Sequence, residues 1–134
     1  MAVPTRLPAD FPMMRRRFLL AAGLILVLAS PADAACINFM KFNLTSAGPW
    51  QGHGSIQQGK TCSGSYTAGG TWTFKRLYLV QAPARGKVQL REGGTYSYTA
   101  PTGFTGSDPF MLRVCGKEGN MDGCANLVYN MTVN

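Results

Sequence analysis

Along residues 36–134, apolar side chains recur at every second position, in short runs bounded by Gly, Pro, Ser and Asn. No stretch there carries the 3.6-residue period of an amphipathic helix, so the pattern predicts strands. Cys36–Leu44 reads as a first strand. Thr45–Gly59, rich in Gly, Ser and Gln, reads as a long loop or an irregular edge. Lys60–Thr67 is a short strand, turned by Ala68, Gly69 and Gly70. Thr71–Ala82 carries Trp72, Phe74, Leu77, Tyr78, Leu79 and Val80, and this continuous apolar stretch predicts a central strand buried on both faces. In Gly86–Arg91, Val88 and Leu90 face inward, and Lys87, Gln89 and Arg91 face outward. Gly93 and Gly94 turn the chain into Thr95–Thr99, Pro101–Pro109 is a loop, and a final hairpin carries Phe110–Cys115 and Leu127–Val133. Six to seven short strands with closely spaced turn signals predict an all-β fold, an antiparallel β-sandwich.

The first 34 residues follow a different grammar. Arg15, Arg16 and Arg17 precede an apolar run of twelve residues, Phe18–Ala29, then Ser30, Pro31 and the small-residue pattern Ala32-Asp33-Ala34. A positive start, a short apolar core and an A-x-A site are the layout of a secretory signal peptide, read here as residues 1–34 with cleavage after Ala34. The run is shorter than the roughly 20 residues needed to span a bilayer, which argues against an uncleaved anchor. Met13 or Met14 are alternative starts. The arginines also satisfy a loose twin-arginine pattern, so the export route stays open.

Removing that segment changes the composition. The whole chain has 134 residues, 46% hydrophobic, with a net charge of +7. Residues 35–134 keep nine basic and four acidic side chains, net +5. A domain of this size has no room for a two-domain enzyme or a doubly wound cofactor fold. All four cysteines, Cys36, Cys62, Cys115 and Cys124, lie beyond the cleavage site, and an even count in an exported domain predicts two disulfides. Three pairings are possible. Cys115 shares the outer phase of its strand with Arg113, and Cys124 shares the outer phase of the next with Asn130 and Thr132. Both therefore face the same side of a hairpin, which selects Cys115–Cys124 and leaves Cys36–Cys62.

Two stretches carry a resemblance. Pro83-Ala84-Arg85-Gly86-Lys87-Val88, followed by Tyr96 to Phe110 with its Pro101-Thr102-Gly103-Phe104-Thr105-Gly106-Ser107-Asp108 core, resembles the bacterial immunoglobulin-like or cadherin-like repeat of tandem adhesins. The likeness covers roughly Trp72 to Val133. The chain departs from the family's pattern in placing Ala100 before Pro101, in Pro109 where Ser or Thr is usual, in its two disulfides, and in being a single module. The resemblance implies an immunoglobulin-like sandwich that serves as a spacer, stalk or binding module. It also implies structural roles for Tyr98, Pro101, Gly103, Phe104, Gly106, Asp108 and Phe110. Tyr98 is expected to bury its ring and bond the backbone at a corner. Gly103 and Gly106 are expected to supply positive φ, Phe104 to plug the end of the core, and Asp108 to cap its own loop.

Candidate chemistry is sparse. One carboxylate, Asp108, is too few for calcium, which wants six to eight oxygens, and no C-x-x-C accompanies the lone His53. Neither metal nor cofactor is expected. Glu92, Asp108, Glu118 and Asp122 form no acid–base pair by any spacing, and His53 with Ser55 lacks an orienting third group, so no catalytic residue and no enzymatic activity are expected. Trp50 with Tyr66 or Trp72 is a conceivable sugar-stacking platform, although large aromatics in small β domains usually fill cores. The stronger signal is basic: Lys75, Arg76, Arg85, Lys87 and Arg91, with Arg113, lie on or beside neighbouring strands and are the candidate partner-binding residues. The chain thus reads as a non-catalytic binding or structural module of the bacterial envelope, periplasmic or secreted. The expected partner is an envelope protein, an anionic glycan or a lipid head group, not nucleic acid. The alternative is a small inhibitor or enzyme accessory acting through residues 45–59.

Overall fold

The computed structural model describes residues 34–37, 40–66 and 72–134, all within the compact unit Pro31–Asn134. Among them run nine strands: β1 (Ala34–Ala35), β2 (Trp50–Ile56), β3 (Thr61–Ser65), β4 (Trp72–Gln81), β5 (Lys87–Arg91), β6 (Thr95–Thr99), β7 (Gly106–Ser107), β8 (Phe110–Glu118) and β9 (Met121–Val133). They form two sheets. One has the order β1-β3-β6-β5, and the other β2-β9-β8-β4 with β7 also paired to β9. The two sheets pack as a β-sandwich, as the alternation predicts. Two of the nine strands have only two residues, and two pairings are parallel: β1 with β3 and β2 with β9. The sheets are therefore mixed, where turn signals alone predict antiparallel neighbours.

The core follows the strict period of two in the last strands. Phe110, Leu112 and Val114 of β8 and Ala125, Leu127, Tyr129, Met131 and Val133 of β9 are all buried. They meet Cys62, Tyr96 and Tyr98 from the facing sheet. Four aromatic rings form a continuous cluster through the centre. Tyr129 lies parallel to Phe110 at 4.6 Å between centroids, Phe110 stacks on Tyr98 at 5.2 Å, and Tyr96 meets Tyr129 edge-on at 5.2 Å. Such contacts add about 0.5–1.5 kcal/mol each beyond the area they bury. Both disulfides form with the pairing expected from strand phase, Cys36–Cys62 and Cys115–Cys124. Cys115 and Cys124 are direct register partners across β8 and β9.

Three expectations are corrected. The described part of Cys36–Leu44 holds no strand; Leu44 is buried instead, and its N–H donates to Glu118 Oε2 at 3.0 Å. Of the two readings of Thr45–Gly59, loop or irregular edge, the edge holds but is regular: Trp50–Ile56 ends its sheet and pairs in unbroken parallel register with Leu127–Val133. Its glycines are there for closeness: a Cβ on Gly52 would meet Ile37 Cδ1 and Met40 Cε at 2.5 Å. Finally, β4 is not central. It pairs with β8 alone and closes one edge of its sheet, with Tyr78 43% and Val80 52% exposed.

The expected signal peptide lies outside the described residues except for Ala34, and the turn at Ala68–Gly70 lies outside them entirely. Cleavage after Ala34 would trim β1 to Ala35, opposite Ser63. The two disulfides suit an oxidising, extracytoplasmic compartment, and no helix among the described residues is long and apolar enough to cross a membrane.

Candidate binding site

The motif residues come together at one end of the sandwich. Asp108 is fully buried, and its carboxylate accepts three hydrogen bonds: from Arg85 N at 3.0 Å, Gly86 N at 2.7 Å and the Tyr98 hydroxyl at 2.7 Å. Its own N–H donates to Met131 O. The two expectations for this corner therefore change together. Tyr98 bonds a carboxylate rather than the backbone, and Asp108 caps a segment more than twenty residues earlier rather than its own loop. A buried carboxylate held by three donors is a fastener joining the β4–β5 connection to the β8 entry. Gly103 and Gly106 do adopt positive φ, 74° and 131°. Phe104 is half-buried against the core, with the Arg85 guanidinium 4.9 Å above its ring. Burial, reinforced by the neighbouring Asp108 charge, raises the Tyr98 hydroxyl well above the usual tyrosine range.

A second polar cluster lies deeper. The hydroxyls of Tyr66 and Tyr129 bond each other, and Tyr66 stacks on Tyr96 at 5.8 Å. Burial raises the pKa of all three. This absorbs Tyr66 into the core and removes it from any sugar platform. Trp50 and Trp72 instead line an open cleft of about 500 Å³ with Met40, Phe42 and Asn43. Trp50 donates its indole N–H to Ser46 O at 3.2 Å, and Trp72 meets Phe42 edge-on at 5.9 Å.

The expected basic face divides in two. Lys75, Arg76 and Arg91 converge on a groove of about 300 Å³ between β4 and β5, lined also by Leu77, Tyr78 and Leu90, with Glu92 at its rim. Within it, Arg76 Nη1 donates to the Tyr78 hydroxyl at 3.4 Å, which favours the protonated guanidinium. Lys75 pairs with Asp122 at 2.5 Å and holds that carboxyl below its ordinary range. Arg85 and Lys87 lie apart from the groove, Arg85 engaged over Phe104, and Lys87 exposed opposite Thr99 at the far end of β5. Arg113 sits on the outer surface of β8, in register with Tyr78.

The alternation does not foretell the groove's apolar lining. The apolar run of β4 predicts a buried strand, yet Tyr78 in the groove is exposed, as are Leu90 of β5 and, farther along β4, Leu79 and Val80. The signal that would have found it is the clustering of Lys75, Arg76 and Arg85 around that run, since cations guard sheet edges rather than centres.

His53 is exposed on β2, opposite Asn130, and Ser55 Oγ accepts a hydrogen bond from Asn134 Nδ2 at 2.5 Å. The described residues contain no grouping of three or more His, Cys, Asp or Glu that could hold a metal. The chain has no significant match among protein-family models, curated proteins or solved structures.

Proposed function

We propose that this chain is a non-catalytic binding module exported to the bacterial envelope, and that it engages an anionic partner through the basic side formed by β4 and β5. One observation carries the reading: Lys75, Arg76 and Arg91 line a single exposed groove beside exposed apolar side chains. An exposed patch of that mixed kind is where proteins meet partners rather than solvent. The two disulfides, the net positive charge of residues 35–134 and the signal-peptide pattern are consistent with work outside the cytoplasm. The resemblance to bacterial immunoglobulin-like repeats supports the same reading, because the matching residues form the Asp108 fastener, which is structural.

The test is retention on an immobilised polyanion, dextran sulfate, across a salt gradient. The wild-type chain should be held at low salt and released as salt rises, because surface charges are screened over about 8–10 Å at physiological ionic strength. The Arg76→Glu/Arg91→Glu double variant should pass through unretained while unfolding at the same temperature. Equal retention of the two proteins would overturn the assignment of the groove.

A further inference from the structure

We infer that the free edge of β4 accepts an extended segment of a partner polypeptide, alternating apolar and acidic side chains, as an added strand in the β4–β5 groove. This rests on the binding-module reading above and narrows its partner to protein.

The backbone makes the first argument. β4 and β5 are the last strands of their respective sheets, and both flank the same groove. Among the described residues, the outer edge of β4 has no strand partner. An unpaired edge of a ten-residue strand is a template for another chain. Its register against β8 is regular from Arg76 to Leu79 and shifts on either side, between Phe74 and Arg76 and between Leu79 and Gln81. The stretch offered to a guest is therefore short.

The side chains make the second. Leu79 sits opposite Leu112 in the register, yet Leu112 is fully buried and Leu79 is 38% exposed. The facing sheet ends before it covers Leu79, since β5 leaves Leu90 exposed on the other lip of the opening. Among the described residues, four of the five exposed large hydrophobics lie on these two strands; the fifth, Met121, starts β9 at the hairpin tip. The opposite edge of the same sheet is built otherwise: β2 exposes Gln51, His53 and Ser55. An apolar side chain from an added strand would cover Leu77 and Leu90, which line the groove together.

Charge selects the occupant. Among the described residues Arg76 and Arg91 have no ion pair; Glu92 lines the groove, and Asp122 beside it is taken by Lys75. Acidic side chains on the guest would complement them. A second copy would instead bring the same cations, on a domain of net charge +5, against one another.

The experiment uses the full chain and a short acetylated, amidated peptide of alternating Val and Glu. Three competitors accompany it: alternating Val and Lys, the Val–Glu peptide with proline at alternate Val positions, and dextran sulfate. With peptide at roughly ten times its Kd, amide exchange across Arg76–Val80 should slow about tenfold. The proline peptide should not bind, because it lacks the amides that pair. Val80→Pro, at a position β8 does not pair, should abolish binding. Should that variant lose its fold, Arg76→Glu should instead shift the preference from the Val–Glu to the Val–Lys peptide. Dextran sulfate binding with no peptide binding overturns strand addition and leaves the basic-groove reading standing, whereas failure of both overturns both. Equal binding of the proline peptide, protection confined to other strands, or a concentration-dependent dimer paired through β4 each overturns the proposal.

Discussion

Removing the Asp108 carboxylate tests the fastener at the end of the sandwich. In Asp108→Ala, three donors lose their acceptor: Arg85 N, Gly86 N and the Tyr98 hydroxyl. A buried donor left unpaired costs about 1–3 kcal/mol, and hydrogen bonds to a charged acceptor are worth about 1.5–3 kcal/mol each. Tyr98 is fully buried and would bear the whole cost. Gly86 is half-buried and Arg85 exposed, so water would recover part of theirs. The balance is a loss of roughly 3–5 kcal/mol, a large share of the 5–15 kcal/mol that holds a domain folded. Tyr98→Phe removes only one of the three bonds and should cost about 1–2 kcal/mol. Urea denaturation of the wild type, both single variants and the double variant closes a mutant cycle. Because both single variants remove the same contact, the double variant should cost less than their sum by about 1–2 kcal/mol. Additive losses, or an Asp108→Ala loss below about 1 kcal/mol, would refute the account of Asp108 as a charged acceptor shared by three donors.

Gly86→Ala should weaken the same corner, since a Cβ there would meet Tyr98 Cε2 at 2.5 Å and Asp108 Oδ2 at 2.9 Å; a lowered melting temperature with unchanged strand content by circular dichroism is the expected result. Burial raises the hydroxyl pKa of Tyr66, Tyr96, Tyr98 and Tyr129, so the unfolded chain ionises first as pH rises. Their contribution is complete below the unfolded value of about 10 and is lost above it, so the denaturation midpoint should fall steeply in alkali and tyrosinate absorbance should rise together with unfolding. Replacing Cys36 and Cys62 by Ser opens a 26-residue separation and replacing Cys115 and Cys124 a 9-residue one, so chain entropy makes the first loss the larger, about 3.5 against about 2.6 kcal/mol, measurable by urea titration. Lys75→Ala should leave the midpoint unchanged within error, because its ion pair with Asp122 is solvent-exposed on both sides.

Much of this fold is written in alternation, and alternation is local. The phase of Phe110–Val114 and Leu127–Val133 is enough to predict which side chains enter the core and that Cys115 faces Cys124. Location within a sheet is not local. The run Leu77–Val80 has the same hydropathy whether another strand covers its outer edge or water does, so a central strand and an open edge read alike. β2 fails for the converse reason. Trp50–Ile56 has poor strand propensity, and its place is fixed by the backbone of β9 and by glycines small enough for Ile37 and Met40 to approach. Asp108 shows the same limit at the level of one side chain. Its sequence context offers a local cap, whereas its partners Arg85 and Gly86 are brought to it by the β4–β5 connection. The basic residues were legible as types. Their division between the groove and the Phe104 end was not, because it depends on which two strands end their sheets.

Among the described residues, the two edges of the larger sheet are built differently. At β2 the exposed positions are polar, so a foreign strand would gain little beyond backbone hydrogen bonds. At β4 the exposed positions are apolar, which ordinarily invites self-pairing. Two features oppose it there. The register shifts at either end of Arg76–Leu79 shorten the straight stretch to which another strand can align. The cations along the groove make a like-charged copy a poor guest. Both features would discriminate rather than block under the strand-addition proposal: the short regular stretch disfavours a long guest and the cations disfavour a basic one, while a short acidic one satisfies both. An edge meant only to be inert would have been built like β2. The combination at β4 of exposed apolar side chains with selective protection is the arrangement expected of a surface that admits one class of partner.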